Sequence, residues 1–403
     1  MPIDKTDKIQ TEPLVNLLTE RGKLQDSRIE AAFAEVPRHI FIPQADPQDV
    51  YTDTSIVIEY DENNEAVISS IMPSMLAQML HQLDLSSGQN VLEIGTGTGY
   101  FAALLRHVLG ADSTVTSIEI DREMTHAAEK NLLKLGFRNI NIVNGDGASG
   151  YAPRAAYDRI VSTVGVWDIP PAWIRQLKPN GRLVVPVWLD GLQVIATFVK
   201  ESDDVLYSEW NTSGAFVYMR GMAAGPQVNK RIGSTSLSLL ADDIRSIDSA
   251  ALNALLLEDF DLCQLTIPLA SEEYWYGCLP YIMLHEPEHY IFALYEVRGD
   301  QQAYGMGGEG FALFTAGSAC FVPYFGLGGT HCFAGADAFL MVEELVNNWQ
   351  EQGRPGIDRL RLRLIPRGET RPEISTGKLY ERKEHYLHVW FDDLDSPEIS
   401  KQA

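Results

Sequence analysis

The 403-residue sequence is poor in cysteine, in positive charge and in long apolar runs, and each shortage excludes something. Its four cysteines, Cys263, Cys278, Cys320 and Cys332, all fall in the C-terminal half, and none stands in a C-x-x-C pair. A zinc site therefore has no spacing to support it, and buried free thiols are the simpler expectation. Lysine and arginine number 32 against 55 aspartates and glutamates, for a formal net charge of −23. A field of that sign repels a polyanion, so nucleic acid is not expected as a substrate. The basic cluster Arg359–Arg367 alternates with Leu and Ile, as a strand face does. The longest apolar candidate for a membrane span, Leu183 to Val199, is broken by Pro186 and by Asp190-Gly191. Met1 to Pro13 is polar and unlike a secretory leader, so a cytoplasmic chain with no membrane partner is expected.

What the sequence does contain is a strand–glycine turn–helix signature from Asn90 to Leu105, NVLEIGTGTGYFAALL. Val91, Leu92 and Ile94 supply a buried strand. Gly95, Gly97 and Gly99 supply a backbone that turns tightly and can approach a ligand closely. Phe101, Ala102, Leu104 and Leu105 carry helical spacing. Free N–H groups at such a helix start are the nucleotide-binding device of doubly wound folds. A dinucleotide fingerprint wants a small third residue, and that position is Tyr100. The acid Glu93 just before the turn would repel a pyrophosphate, whereas it suits a cationic ligand without phosphates, such as S-adenosylmethionine. A second acid, Glu119, closes the next apolar run about 20 residues on, where a ribose-binding carboxylate belongs.

The length predicts two or three domains. Residues Leu14 to Phe33 read as two helices, and Val57 to Ile71 as a hairpin turning at Asp61–Asn64. A helix follows Pro73 and ends at Leu83. Strands and helices then alternate. Strands are expected at Val91–Ile94, Val115–Ile120, Ile140–Val143, Arg159–Val164 and Arg182–Val187, forming a mostly parallel sheet covered on both faces. After about Gly221 the texture changes. A helix is expected across Leu237–Leu257, antiparallel strands from Phe260 to Phe325, a helix at Ala336–Gln352, and strands at Leu360–Ile365 and His385–Phe391. The expected division is 1–85 as a helical and hairpin segment on the substrate side, 86–222 as the cofactor domain, and 223–403 as a separate α+β domain.

Other strings are weaker. Asn144-Gly145-Asp146-Gly147 follows the third strand of the alternation, where an acid between glycines suits contact with a base. Asp168-Ile169-Pro170-Pro171 imitates an amino-methylation signature, but Ile169 interrupts it and the prolines more simply open a helix. His285-Glu286-Pro287-Glu288-His289 imitates a zinc-protease string, which Pro287 keeps from being helical. Gly305-x-Gly307-x-x-Gly310 lacks a βαβ setting and reads as a glycine-rich hairpin.

From about Leu14 to Val187 the chain resembles the protein-L-isoaspartate (D-aspartate) O-methyltransferases. The resemblance rests on VPRHIFIP (Val36–Pro43), Tyr51 with Asp53, PSMLAQML from Pro73, VLEIGTGTGY, SIE (Ser117–Glu119), GDG, YDRIVST (Tyr157–Thr163) and IPPAWIRQLKPNGRLVVPV (Ile169–Val187). It implies a Rossmann-like methyltransferase sheet and S-adenosylmethionine-dependent transfer to a side-chain carboxylate of a protein or peptide. It also implies cofactor contacts at Glu93, Gly95, Thr96, Gly97, Thr98, Gly99, Tyr100, Glu119, Ile120, Asp146 and Gly147. Two departures stand out. Family members usually carry Ser-x-Pro before the helix, and here Ile71 takes the serine's place, leaving Ser69 and Ser70 nearby to orient the carboxylate. After the fourth expected strand comes Val164-Gly165-Val166-Trp167, so Val164, Gly165 and Trp167 are expected at the substrate mouth.

Repair enzymes of the family end soon after the fifth strand, whereas this chain runs on for a domain. In layout it is similar to the longer FxLD-type members associated with ribosomally made peptides, whose aspartyl ester closes to an aspartimide. General isoaspartate repair and a non-catalytic peptide scaffold are the alternatives. The C-terminal part is rich in aromatics, among them Tyr274, Trp275, Tyr276, Tyr281, Tyr290 and Phe325. Part of that set is expected to form a core and the rest to help recruit a peptide, so a chain ending near Met222 should keep the cofactor site.

Overall fold

In the computed structural model, which describes residues 5–62, 66–201, 204–242, 244–299, 302–368 and 370–392, the N-terminal helices lean on the first sheet. Helix α1 (Lys5–Glu20) buries Leu14 and Leu18. Helix α2 (Ser27–Glu35) is started by Asp26, whose carboxylate accepts the Arg28 N–H, and buries Ile29, Ala32 and Phe33. A short turn, α3 (Pro47–Val50), precedes the hairpin of β1 (Ile56–Tyr60) and β2 (Ala66–Ser70). Residues 63 and 64 of the expected turn lie outside the described residues. Helix α4 (Pro73–Leu83) has proline at its first position, where no backbone donor is lost, and ends at Asp84 in a left-handed conformation.

The alternation then builds as expected: β3 (Asn90–Ile94), α5 (Tyr100–Leu109), β4 (Thr114–Glu119), α6 (Arg122–Lys134), β5 (Ile140–Asn144), β6 (Tyr157–Ser162), α7 (Pro171–Gln176) and β7 (Leu177–Leu189). Strands β7-β6-β3-β4-β5 lie side by side and parallel. The chain starts at β3, winds out to β5 and returns to β6, so the winding reverses beside β3. Ligands of open α/β sheets bind at the carboxyl ends of strands at such a reversal. Strands β8 (Leu192–Lys200) and β9 (Leu206–Gly214) continue the sheet antiparallel.

The second half departs from expectation twice. Its sheet of seven strands, in the order β10-β11-β13-β14-β15-β16-β12, comprises β10 (Asn229–Arg231), β11 (Leu237–Leu240), β12 (Phe260–Gln264), β13 (Ile291–Val297), β14 (Gly308–Phe314), β15 (Ser318–Pro323) and β16 (Gly329–Ala334). The helix expected across Leu237–Leu257 is divided. Leu237–Leu240 pair with β10 and β13, and only Ser249–Leu256, capped by the Asp248 carboxylate, is helical (α8). Pairing with distant strands overrides the leucine-rich local preference. Helices α9 (Ser271–Glu273), α10 (Leu279–His285) and α11 (Asp337–Glu351) complete this half.

The last strands, β17 (Leu360–Pro366), β18 (Lys378–Glu381) and β19 (His385–Phe391), do not belong to that sheet. β17 pairs with β9, and the order β18-β19-β17-β9 extends the first sheet to ten strands. The described residues after 223 therefore do not stand apart as one body. One apolar core runs from Leu92 and Trp173 of the first half through Tyr274, Phe311 and Trp349 of the second to Leu364 and Val389. Of the aromatics singled out in the second half, Tyr274 and Tyr281 are buried, Trp275 and Tyr290 half-buried, and Tyr276 and Phe325 exposed. Among the described residues no helix is long and apolar enough to cross a membrane.

Candidate active site

Strand β3 runs straight into the glycine turn. Gly95, Gly97 and Gly99 all have positive φ, at +93°, +50° and +89°. A Cβ on Gly95 would sit 2.6 Å from the Thr163 hydroxyl and one on Gly99 3.2 Å from Ala128 Cβ, so these glycines are required by packing. Gly97 differs, because no atom lies within 4 Å of its would-be Cβ and it borders a cavity. Glu119, at the end of β4, fastens the turn: its Oε2 accepts the Gly97 N–H at 2.9 Å and its Oε1 the Asp121 N–H at 3.0 Å. The Thr96 and Ser117 hydroxyls meet at 2.6 Å beneath the turn.

Glu93 is fully buried under this loop, and neither carboxylate oxygen has a partner at hydrogen-bond geometry, although the Ser117 hydroxyl is near enough to favour its charge. Burial dominates and raises Glu93 to about 8, with Glu119 pushing the same way. Tyr100 is also buried, packed against Phe33 and Phe41, and burial pushes its phenol up.

The cavity is open to solvent, and the space free of protein atoms in it, mouth included, is about 820 Å³. Its floor is Gly95, Thr96, Gly97 and Thr98, with Tyr100 and Phe101 behind. Ile118, Glu119, Ile120 and Gly147 form one wall, and Ser69, Ser70, Ile71, Thr163 and Val164 another. Glu93, Gly99, Asp146, Gly165 and Trp167 do not line it. Glu93 and Gly99 act beneath the turn, and Asp146 stands one residue behind Gly147, its Oδ1 accepting the Ala148 N–H at 2.9 Å. The expected indole at the mouth is elsewhere. Trp167 Nε1 donates to Asp242 at 3.0 Å, and the Arg382 guanidinium lies 4.7 Å over its ring. An N–H donor on a partly buried ring seeks a fixed acceptor, and the second half provides one.

Of the two serines, Ser70 accepts a hydrogen bond from a buried arginine and keeps its own proton to donate. Arg38 is completely buried, and its guanidinium donates to the Ser70 hydroxyl and the Ile71 carbonyl at 3.2 Å, and also to the carbonyls of Val50, Thr52 and Thr54. Asp53 joins this brace, accepting the Ser74 N–H at 2.8 Å at the start of α4.

Sequence reasoning missed the strap Val217–Arg220, which also lines the cavity. Gly165 holds one end, its N–H donating to Val217 O and its carbonyl accepting from Met219, both at 2.9 Å. At the other end Asp146 Oδ2 accepts the Met222 N–H at 2.7 Å, and the Arg220 guanidinium lies 4.0 Å from Glu119. These are long-range pairings, and nothing local in the strap announces them.

The chain matches the family model "Protein-L-isoaspartate(D-aspartate) O-methyltransferase (PCMT)" over residues 9–223. It is 40% identical over 203 residues to protein-L-isoaspartate O-methyltransferase 2 of Archaeoglobus fulgidus, covering 50% of this chain and 89% of that one. It is 34% identical over 219 residues to the Methanopyrus kandleri enzyme of that name, covering 54% and 94%. A solved structure of a protein-L-isoaspartate O-methyltransferase superposes with a TM-score of 0.51 at 24% identity, covering 94% of this chain and 98% of that one. That likeness concerns the fold alone, and it extends over both halves.

Proposed function

The chain belongs to the protein-L-isoaspartate (D-aspartate) O-methyltransferase family, and we propose that its preferred acceptor is one defined peptide, methylated at an aspartyl or isoaspartyl carboxylate. The activity common to the family is S-adenosylmethionine-dependent O-methylation of a protein carboxylate, and this chain is an enzyme of that kind. When bound, S-adenosylmethionine supplies a methyl group carried on a positively charged sulfur.

The cleft fits such a cofactor. An unpartnered carboxylate, Glu93, lies under the turn, a second, Glu119, borders the cavity, and Gly97 leaves open space. Gly95–Gly99, Tyr100, Glu119, Ile120 and Gly147 would hold the cofactor, with Asp146 setting the wall behind. The chain's own task is placement. A carboxylate with an ordinary pKa of about 4 is already ionised at neutral pH, so no general base is needed. Holding its oxygen in line with the methyl group and excluding water can supply roughly 7–11 kcal/mol. Ser69 and Ser70 are the hydroxyls at hand to orient that oxygen, since Ser70 accepts from Arg38 and keeps its own proton to donate. The strap Val217–Arg220 borders the same cavity.

The observation that carries the dedicated-peptide reading is the acceptor wall. Ile71 stands where the family resemblance places a serine, and Val67, Val164, Val217 and Tyr218 border the same cavity. A wall of that kind suits apolar neighbours of the aspartate, each able to discriminate about 10–200-fold. An FxLD-type substrate, whose ester closes to an aspartimide, would present them. General isoaspartate repair is the competing reading, favoured by the 34–40% identity to isoaspartate methyltransferases across the catalytic half.

The test is methyl transfer to a panel of aspartyl and isoaspartyl peptides varied at the flanking residues, followed by intact mass. Strong dependence of kcat/KM on apolar neighbours, with one methylene gained in the ester and then methanol lost, leaving the peptide one water lighter than it began, supports the dedicated reading. Equal rates across isoaspartyl peptides would establish repair instead.

A further inference from the structure

Three of the four cysteines converge on one face of the second sheet, far along the chain from the methyl-transfer site. Pairing of β15 with β16 sets Cys320 directly opposite Cys332. Pairing of β12 with β16 sets Cys263 opposite Thr330, two residues before Cys332 and hence on the same face. The Thr330 hydroxyl lies 3.3 Å from Cys332 Sγ and equally far from the Cys263 carbonyl, so its proton can point to either. Cys320 is fully buried, Cys332 is 8% exposed, and Cys263 is half-buried on the edge strand β12, so a single strand separates the group from solvent.

The donors all favour charge on one sulfur. The Cys320 thiol, with Thr330 and Cys263, holds Cys332 below the ordinary thiol range against burial and Asp261. Its own hydrogen bond to Cys332 raises Cys320, and burial raises Cys263. A sulfur with a hydroxyl 3.3 Å away and a second thiol directly opposite it has the arrangement of an attacking sulfur with a resolving neighbour.

We propose that Cys332 is a peroxide-reactive thiol and that Cys320 resolves it to a cross-strand disulfide. The Cys332 thiolate attacks a hydroperoxide oxygen, forming an S–O bond as the O–O bond breaks. The sulfur is oxidised to a sulfenic acid, and the leaving oxygen takes a proton as water or alcohol. The Cys320 sulfur then attacks the sulfenic sulfur, the S–S bond forms, and the hydroxyl leaves with the Cys320 proton as water. Cβ atoms of directly opposed residues lie close to the separation a disulfide requires.

The test exposes the full chain to stoichiometric hydrogen peroxide in the presence of a sulfenic-acid-trapping dione, with alkylation and peptide mapping. The wild type should form the Cys320–Cys332 disulfide, Cys320→Ser should accumulate the dione adduct on Cys332, and Cys332→Ser should do neither. Fully buried Cys278 serves as the internal reference. Iodoacetamide labelling of the unmodified wild type, which needs no variant to fold, should label Cys332 at least tenfold faster than Cys278. Reaction of Cys332 no faster than Cys278, or first oxidation at Cys263, would overturn the assignment.

Discussion

Asp146 Oδ2 accepts the backbone N–H of Met222 at 2.7 Å, tying the turn after β5 to a strap 76 residues further along the chain. The neighbouring Gly221 has φ +82°, and a Cβ there would lie 2.3 Å from that same oxygen. The strap can close over the cofactor wall only with glycine at this position. Gly221→Ala should therefore lift the strap at a cost of about 1–3 kcal/mol, weakening S-adenosylhomocysteine about tenfold while leaving the fold intact. Titration calorimetry checks this, and unchanged affinity would mean that the strap takes no part in cofactor binding.

Gly95 and Gly97 should separate stability from binding. Alanine at Gly95 meets the Thr163 hydroxyl and lowers stability by about 1–3 kcal/mol. Alanine at Gly97 carries the strain of its φ of +50° but its Cβ meets no protein atom within 4 Å and borders the cavity, so thermal unfolding should shift less than at Gly95 while cofactor binding is lost. Equal loss of binding in two equally unfolded variants would refute the distinction.

Glu93 should give the cofactor-free protein an unusual pH profile. Burial raises its folded value to about 8 from an ordinary 4.5, so the native chain keeps a proton that the unfolded chain releases. Between those values the native state binds more protons, and stability falls as pH rises through that window before levelling off above it. Glu93→Gln should remove a slope on the order of a few kcal/mol between pH 5 and 8, read from urea unfolding at each pH.

The doubly wound half was legible because its signals are local. Val91–Ile94 is apolar on both faces, the glycines punctuate it, and the following helix repeats at helical spacing. Glu93 illustrates the limit: its position in the sequence marks it as an acid at the cofactor turn, but only the fold shows it beneath the loop and outside the cavity. Trp167 follows β6 as the sequence indicates, yet its ring is fixed by Asp242 and Arg382 from 75 and 215 positions away. The strap and the return of β17–β19 to the first sheet rest on pairings of the same long range, which no window of residues records.

That Trp167 anchorage predicts a buried electrostatic dependence. Arg382 is fully buried and donates to both oxygens of Asp242, at 2.7 and 2.8 Å, and to the Trp188 carbonyl at 2.9 Å. Asp242→Ala leaves the guanidinium without its counter-charge and should cost about 3–5 kcal/mol, more than Trp167→Phe, which loses a single hydrogen bond. Chemical denaturation of both variants orders these costs.

Cutting the chain after Met222 tests how far its two halves are one structure. The sequence suggested that such a chain would keep the cofactor site. In the fold, β17 pairs with β9 through Arg363↔Tyr207 and Leu364↔Leu206, and Leu189, Val194 and Phe198 share a core with Tyr274, Phe292 and Leu364. Removing residues 223–403 would leave β9 as an open edge and strip the apolar cover from β7 and β8, which favours edge-to-edge association. The shortened chain should aggregate or unfold well below the full chain's Tm, and lose S-adenosylhomocysteine binding with it. Light scattering and calorimetry decide the matter, since a monomeric product that binds the cofactor as tightly as the full chain would show the N-terminal half to be autonomous.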